Sequence, residues 1–239
     1  MFSQFLTLNQ EILSIYNKKC LLRVGLLLFS VLFSGFMTEP VWAQDEERNE
    51  EEPRTVLIFG DSITAGQGVD MDEAFPALLQ DKVDSLGWNV EFVNAGLSGE
   101  TTAGGVRRID WVLQRKVDLF VLELGGNDGL RGIEPEVTRR NLQEIMDKVH
   151  SKYPETTIIL TGMEAPPNMG PRYTTRFREI FQELAHQNEV IFMPFILEGV
   201  GGNPELNQSD GIHPTAEGHR KIAENLWSYL KPVLEKDAL

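Results

Sequence analysis

VDLFVLELGG, residues 117–126, is a mostly apolar run closed by two glycines. It reads as a central strand buried on both faces, because a strand with one face in water would alternate apolar and polar positions. Upstream, VLIFG (56–60) and NVEFVNAG (89–96) have the same character. Downstream, TTIILTGM (156–163) and VIFMPFI (190–196) follow it. Between these runs the periodicity changes. Phe75, Leu78, Leu79, Val83 and Leu86 stand at helical spacing within residues 71–87, with Gly87 as a stop. Helices are likewise predicted over 100–116, 134–153, 173–187 and 214–236. Five strands separated by helices imply right-handed crossovers and a parallel sheet covered on both faces. The expected architecture is one α/β domain over residues 55–235, with no internal repeat and no interdomain linker.

The amino end reads differently. Lys18, Lys19 and Arg23 precede the uncharged stretch VGLLLFSVLFSGFM (24–37), and Val41-Trp42-Ala43 forms a small-residue cleavage signal before Gln44. That order predicts a secretory signal peptide over residues 1–43. Its apolar core is shorter than the roughly 20 residues of a spanning helix, which favours cleavage over anchoring. Residues 44–54, including DEERNEEEPR, are expected to be an acidic flexible linker, since like charges repel and nothing there is apolar. The expected location is secreted or periplasmic, as a monomer without stable membrane insertion once the signal is removed.

Charge and cysteine usage exclude several classes. Lys18, Lys19 and Arg23 against Glu11 and Glu39 give residues 1–43 one net positive charge, so the −14 of the whole chain leaves −15 on residues 44–239. Such a surface repels nucleic acid and anionic headgroups. The single cysteine, Cys20, lies in the signal segment, so the mature chain has neither a disulfide nor a thiol nucleophile. No histidine pair has metal-ligand spacing, and there is no GxGxxG after the first strand and no P-loop. His150 and His186 fall in the last turns of helices, where a cation suits the dipole, and His219 sits on a helix among charges. No metal and no cofactor are expected.

In a parallel α/β sheet, sites form beyond the carboxyl ends of the strands. Four polar or glycine-rich stretches fall at that rim: Gly60-Asp61-Ser62, Asn94-Ala95-Gly96, Gly125-Gly126-Asn127-Asp128 and Asp210-Gly211-Ile212-His213-Pro214. Taken singly, each reads as a cap or a turn. Together they contain the parts of a serine relay: a hydroxyl at Ser62, an imidazole at His213, and a carboxylate at Asp210 to hold the imidazole tautomer. Gly211 allows the bend that brings Asp210 to one ring nitrogen, and Pro214 suits the first helical position, so that His213 would cap a helix start and be kept neutral by the dipole. Donors for an oxyanion are available at the Ser62 and Gly96 N–H groups and the Asn127 side chain. Asp61 is the neighbour of Ser62, and adjacent side chains diverge. Its expected work is therefore to accept backbone N–H groups of the loop it begins.

GDSITAG, the Gly96 of NAGLSGETT, GGND and DGIHP stand in the order of the four blocks of the SGNH (GDSL-type) hydrolases, which this chain resembles over about residues 54–235. The runs LELGGNDGLRG and SDGIHPTAEGH are similar to the bacterial arylesterase, acyl-CoA thioesterase and lysophospholipase subgroup. The resemblance implies a flavodoxin-like three-layer α/β/α sandwich and hydrolysis of acyl esters and thioesters through an acyl-enzyme. It also implies Ser62, His213 and Asp210 as the triad, and Ser62, Gly96 and Asn127 as the oxyanion hole. No cofactor is implied, and the partner is a small acyl ester or thioester. Leu130, Met163, Pro166, Pro167, Met169 and Phe195 are candidates for an acyl groove, and the glycine-flanked stretch 129–132 for a segment that moves over the chain. Two other readings remain open: a carbohydrate O-deacetylase of the same fold, and a binding protein that has lost its chemistry.

Overall fold

A computed structural model of the chain describes residues 52–236. The predicted signal peptide, Cys20 and most of the predicted acidic linker lie outside the described residues. Five strands, β1 (Arg54–Gly60), β2 (Val90–Gly96), β3 (Leu119–Glu123), β4 (Thr157–Thr161) and β5 (Ile191–Met193), form one parallel sheet in the order β2-β1-β3-β4-β5. The helices are α1 (Ser62–Ala65), α2 (Phe75–Ser85), α3 (Thr102–Val112), α4 (Gly126–Leu130), α5 (Pro135–Lys152), α6 (Pro171–Gln187) and α7 (Ala216–Lys236).

The strand order explains where a site must fall. The chain steps from β1 to β2 in one direction and then returns past β1 to lay down β3, β4 and β5 in the other. Right-handed crossovers therefore send α2 to one face and α3, α5 and α6 to the opposite face. The packing agrees: α2 lies against α7, while α5 lies against both α3 and α6. The direction reverses between β1 and β3, and the loops leaving those two strands part there into a crevice. β3 is buried at all five positions and β1 at six of seven. Phe59, Phe120, Phe177 and Phe181 are among the largest fully buried side chains, so the crevice stands on a rigid floor.

Element boundaries moved for local reasons. The run 117–126 is strand only over Leu119–Glu123, because Gly125 adopts φ 122° and turns the chain into α4 at Gly126. The run 190–196 is strand only over Ile191–Met193, since Pro194 has no N–H to continue the ladder. The last helix starts at Ala216, not at Pro214. Pro214 instead faces Asn207 in an isolated antiparallel bridge, so the predicted capping of a helix by His213 is not what the structure shows. His219 is also unlike its expectation. It is fully buried, stacks on Phe75, accepts the Phe75 N–H at Nδ1 (3.3 Å), and burial pushes its pKa down to about 4.

Candidate active site

Asp61 caps α1, its Oδ1 accepting the Ile63 N–H at 3.0 Å. Gly66 closes this single turn in the left-handed conformation (φ 73°). The turn holds Ser62 at the rim, 7% exposed, with its Oγ 3.0 Å from His213 Nε2. His213 Nδ1 is 2.6 Å from Asp210 Oδ2. The other oxygen, Asp210 Oδ1, accepts the backbone N–H groups of Ile212 (2.9 Å) and His213 (3.0 Å). Hydrogen bonding from the His213 ring, then from those two N–H groups, holds the Asp210 carboxyl well below the usual carboxylate range, although its side chain is 44% exposed. It is therefore ionised throughout the neutral range and can keep a proton on Nδ1, leaving Nε2 free to accept one.

The loop carrying His213 is anchored by residues that the sequence reading did not single out. The Gln208 side chain donates to the Pro214 carbonyl (2.8 Å) and to the Gln67 carbonyl (2.7 Å), joining the histidine loop to the segment after α1. Its backbone N–H donates to the His213 carbonyl at 2.7 Å. Buried Asn207 donates to the carbonyls of Val200 and Asn203. A long irregular loop is thus tied down at both ends, which is what a base needs to stay within reach of a hydroxyl.

The GGND stretch splits its duties. Asp128 is fully buried and accepts from the Thr102 N–H (2.9 Å), the Thr102 hydroxyl (2.5 Å) and the Thr138 hydroxyl (3.2 Å), locking α4 to α3 and α5. Asn127 faces the crevice, and its Nδ2 donates to Asp61 Oδ2 at 3.2 Å. An amide nitrogen has two protons, so one remains to point at a reacting oxygen.

Two expectations are corrected. Gly96 does not reach the crevice. It pairs with Gly60 in the sheet, its N–H donates to Asn94 Oδ1 (2.9 Å), and a Cβ there would lie 2.2 Å from the Ala65 nitrogen. Glycine stands at 96 because α1 crosses directly over it. Gly99, three residues on, lines the cavity beside Ser62, Asn127 and His213 and takes φ 77°. The second glycine of NAGLSGETT was the available signal. Met169 is the other correction. It lines a separate hollow with Glu134, Tyr173 and Arg176, where its Sδ–Cε end covers Gly132.

Leu130, Met163, Pro166, Pro167 and Phe195 do come together, with Ala165 and Leu197, in a largely apolar cavity of about 710 Å³ that opens at Ser62 and His213. Among the described residues no group of three or more His, Cys, Asp or Glu side chains is placed to hold a metal ion. No helix there is long and apolar enough to cross a membrane.

Asp61 itself carries a testable tension. Burial, the largest cause, pushes its pKa from 3.8 up to about 6. The folded chain thus retains this proton through a window, about pH 4 to 6, in which the unfolded chain has released it. Stability from this group is therefore present at low pH and lost as pH rises through that window. Asp61→Asn removes the buried charge and is expected to raise stability at pH 7 by about 1–3 kcal/mol. It also turns an amide donor towards Asn127 Nδ2, so kcat should fall roughly tenfold, as expected for a displaced donor. Thermal melts from pH 4 to 7.5 alongside kcat check both parts. A variant less stable than wild type at pH 7 would show the carboxylate to be a net stabiliser.

Fold and site together define a class: α/β proteins with a hydroxyl, an imidazole and a carboxylate in one hydrogen-bonded row at the carboxyl edge of a parallel sheet. Comparison with known proteins places the chain within it. Residues 58–221 match the model of the GDSL-like Lipase/Acylhydrolase family, and the chain belongs to that family. It is 41% identical over 182 residues to esterase TesA of Pseudomonas aeruginosa, covering 76% of this chain and 90% of that protein. It is 38% identical over 185 residues to thioesterase 1/protease 1/lysophospholipase L1 of Escherichia coli K12, covering 77% and 86%. The crystal structure of the psychrotrophic esterase EstA from Pseudoalteromonas sp., inhibited by monoethylphosphonate, superposes with a TM-score of 0.72 at 32% identity, covering 76% of this chain and 99% of that one. The chain is an ester and thioester hydrolase of that family.

Proposed function

We propose that the chain is a secreted or periplasmic serine hydrolase that works as a monomer, with Ser62 as nucleophile, His213 as general base and acid, and Asp210 as the group that orients His213. The observation that carries this is the unbroken relay from Ser62 Oγ through the His213 ring to Asp210, at distances of 3.0 and 2.6 Å, at the mouth of an apolar cavity. Ser62 Oγ attacks the acyl carbonyl as His213 Nε2 takes its proton. The negative charge on the carbonyl oxygen is met by the N–H groups of Ser62 and Gly99 and by Asn127 Nδ2. His213 then protonates the departing alcohol or thiol, leaving an acyl-Ser62 ester. Water, deprotonated by His213, releases the acid and restores the serine.

Each part is supplied by one chain. The export signal read at residues 1–43 supports the location. A fluorophosphonate probe tests the central reading, because it reacts with a serine only when a base activates it. Wild type should label, and Ser62→Ala and His213→Ala should not. An unlabelled, folded wild type would sink the assignment.

The cavity walls support an acyl chain over a bare acetyl group, since about 710 Å³ of largely apolar space is far more than two carbons fill. Rates on p-nitrophenyl esters should rise with chain length from acetate to the medium-chain range, at about 0.8 kcal/mol or a few-fold per buried methylene. Phe195→Ser should flatten that rise, while Met169→Ser, outside the cavity, should leave it unchanged. A flat wild-type profile would refute the lining.

A further inference from the structure

Glu123 ends β3, the most enclosed strand of the sheet, and is fully buried. Its Oε2 accepts the Thr64 hydroxyl at 2.5 Å and the Asp61 N–H at 3.2 Å. Both donors belong to the turn that carries Ser62, one residue before it and two after. Its Oε1 is buried with no hydrogen-bond partner, and no salt bridge reaches Glu123 among the described residues. The neighbouring carboxyl is that of Asp61, whose negative charge acts on Glu123. Arg108 is turned elsewhere, to Glu100 and the carbonyls of Ala95 and Gly60. Gly60 is glycine because this contact closes over it: a Cβ there would lie 2.1 Å from Thr64 Oγ1 and 2.2 Å from Glu123 Oε2.

An ionised carboxylate in such a place is compensated only by hydrogen bonds from the turn above it. It would be out of water, without a cation and beside a second carboxyl. A neutral carboxyl has none of these costs and can still hold the turn. Burial, followed by the Asp61 charge, raises the Glu123 pKa well above the usual value, in agreement with that geometry. Of the two acids, Asp61 has a donor at each carboxylate oxygen, the Ile63 N–H and Asn127 Nδ2, whereas Glu123 Oε1 has none, so Glu123 is the one that keeps its proton.

We propose that Glu123 is a positioning residue for the nucleophile: an uncharged carboxylic acid that braces the Asp61–Thr64 turn from beneath, fixing the direction of the Ser62 N–H and hydroxyl. This rests on Ser62 as the nucleophile. Glutamine is the neutral isostere and can accept the same two hydrogen bonds, whereas alanine leaves the Thr64 hydroxyl and the Asp61 N–H without an acceptor. Glu123→Gln should therefore keep kcat within about threefold of wild type. Glu123→Ala should lose kcat roughly 10- to 100-fold, the scale of a misplacement of about 1 Å, with KM little changed.

The experiment measures kcat and KM on a p-nitrophenyl ester together with the rate and endpoint of fluorophosphonate labelling. The endpoint counts folded sites, and the labelling rate reports how well Ser62 is placed. A merely structural role would lower the endpoint and leave the rate per folded site unchanged. Glu123→Gln losing as much as Glu123→Ala would show that the charge is needed and overturn the proposal, as would a folded Glu123→Ala with normal kcat. Should Glu123→Ala not fold, Thr64→Val replaces it, expected to slow labelling per folded site several-fold, and an unchanged rate overturns the proposal. Infrared spectra add a direct readout: the C=O stretch of a protonated carboxyl present at pH 7 in wild type and lost in Glu123→Gln. Ser62→Ala is the parallel control. If it labels, the serine assignment has failed, and the Glu123 proposal falls with it for a reason the control identifies.

Discussion

Ser62→Ala is expected to lower kcat for acyl esters by about 10⁵- to 10⁶-fold, the scale seen when a serine relay loses its nucleophile. The remaining activity would come from the oxyanion donors and from holding the substrate, neither of which passes through the hydroxyl. The fold should not suffer. Ser62 sits in the first turn of α1, its backbone is fixed by the Asp61 cap and by the Gln67 N–H donating to the Ser62 carbonyl (3.0 Å), and alanine is a better helix former. Matched thermal melts and a kcat measurement decide the point. A folded variant within about 100-fold of wild type would remove Ser62 from the role of nucleophile.

Asp210→Asn should cost roughly 10⁴-fold in kcat, and the geometry says why. Asp210 Oδ1 is held by two backbone N–H groups, which only an oxygen can accept. Asparagine would keep its carbonyl there and turn its NH₂ towards His213 Nδ1. The ring would then place its own proton on Nε2, facing Ser62, where it can no longer accept one. The loss is one of tautomer and not of position, so KM should change little, and activity should recover partly at high pH as hydroxide replaces the base. Asp61→Asn, expected to cost only about tenfold, is the contrast that separates the two acids. Equal losses would reopen the question of which one serves His213.

Several features of the site were legible in the chain for a physical reason. Asp210 and His213 are three residues apart across a glycine, so their hydrogen bond is a local event. Asp61 capping Ile63 is likewise local. Gly96 shows where such reasoning ends. The register puts Gly96 level with Gly60, still inside the sheet, whereas the crevice opens two residues beyond, at Ser62. Which glycine of NAGLSGETT reaches it depends on the pairing of β1 with β2, and no spacing within the segment encodes that. Met169 failed similarly: it is a groove candidate by its apolar character beside Pro166 and Pro167, but the turn at Pro167–Met169 lays it over Gly132 in a separate hollow. Glu123 stood in plain view as a charge within a run read as buried on both faces, and that contradiction was the signal to follow.

The chain by itself determined the alternation of strands and helices, the parallel sheet, and the residue types gathered at its carboxyl edge. Periodicity and short spacings are set by local backbone geometry, which a sequence states directly. The tertiary structure decided which glycine lines the cavity beside Ser62, which apolar side chains share that cavity, and that a buried acid lies under the turn. Those depend on strand register and on loops crossing between distant segments, where the positions of atoms follow from packing and not from the order of residues.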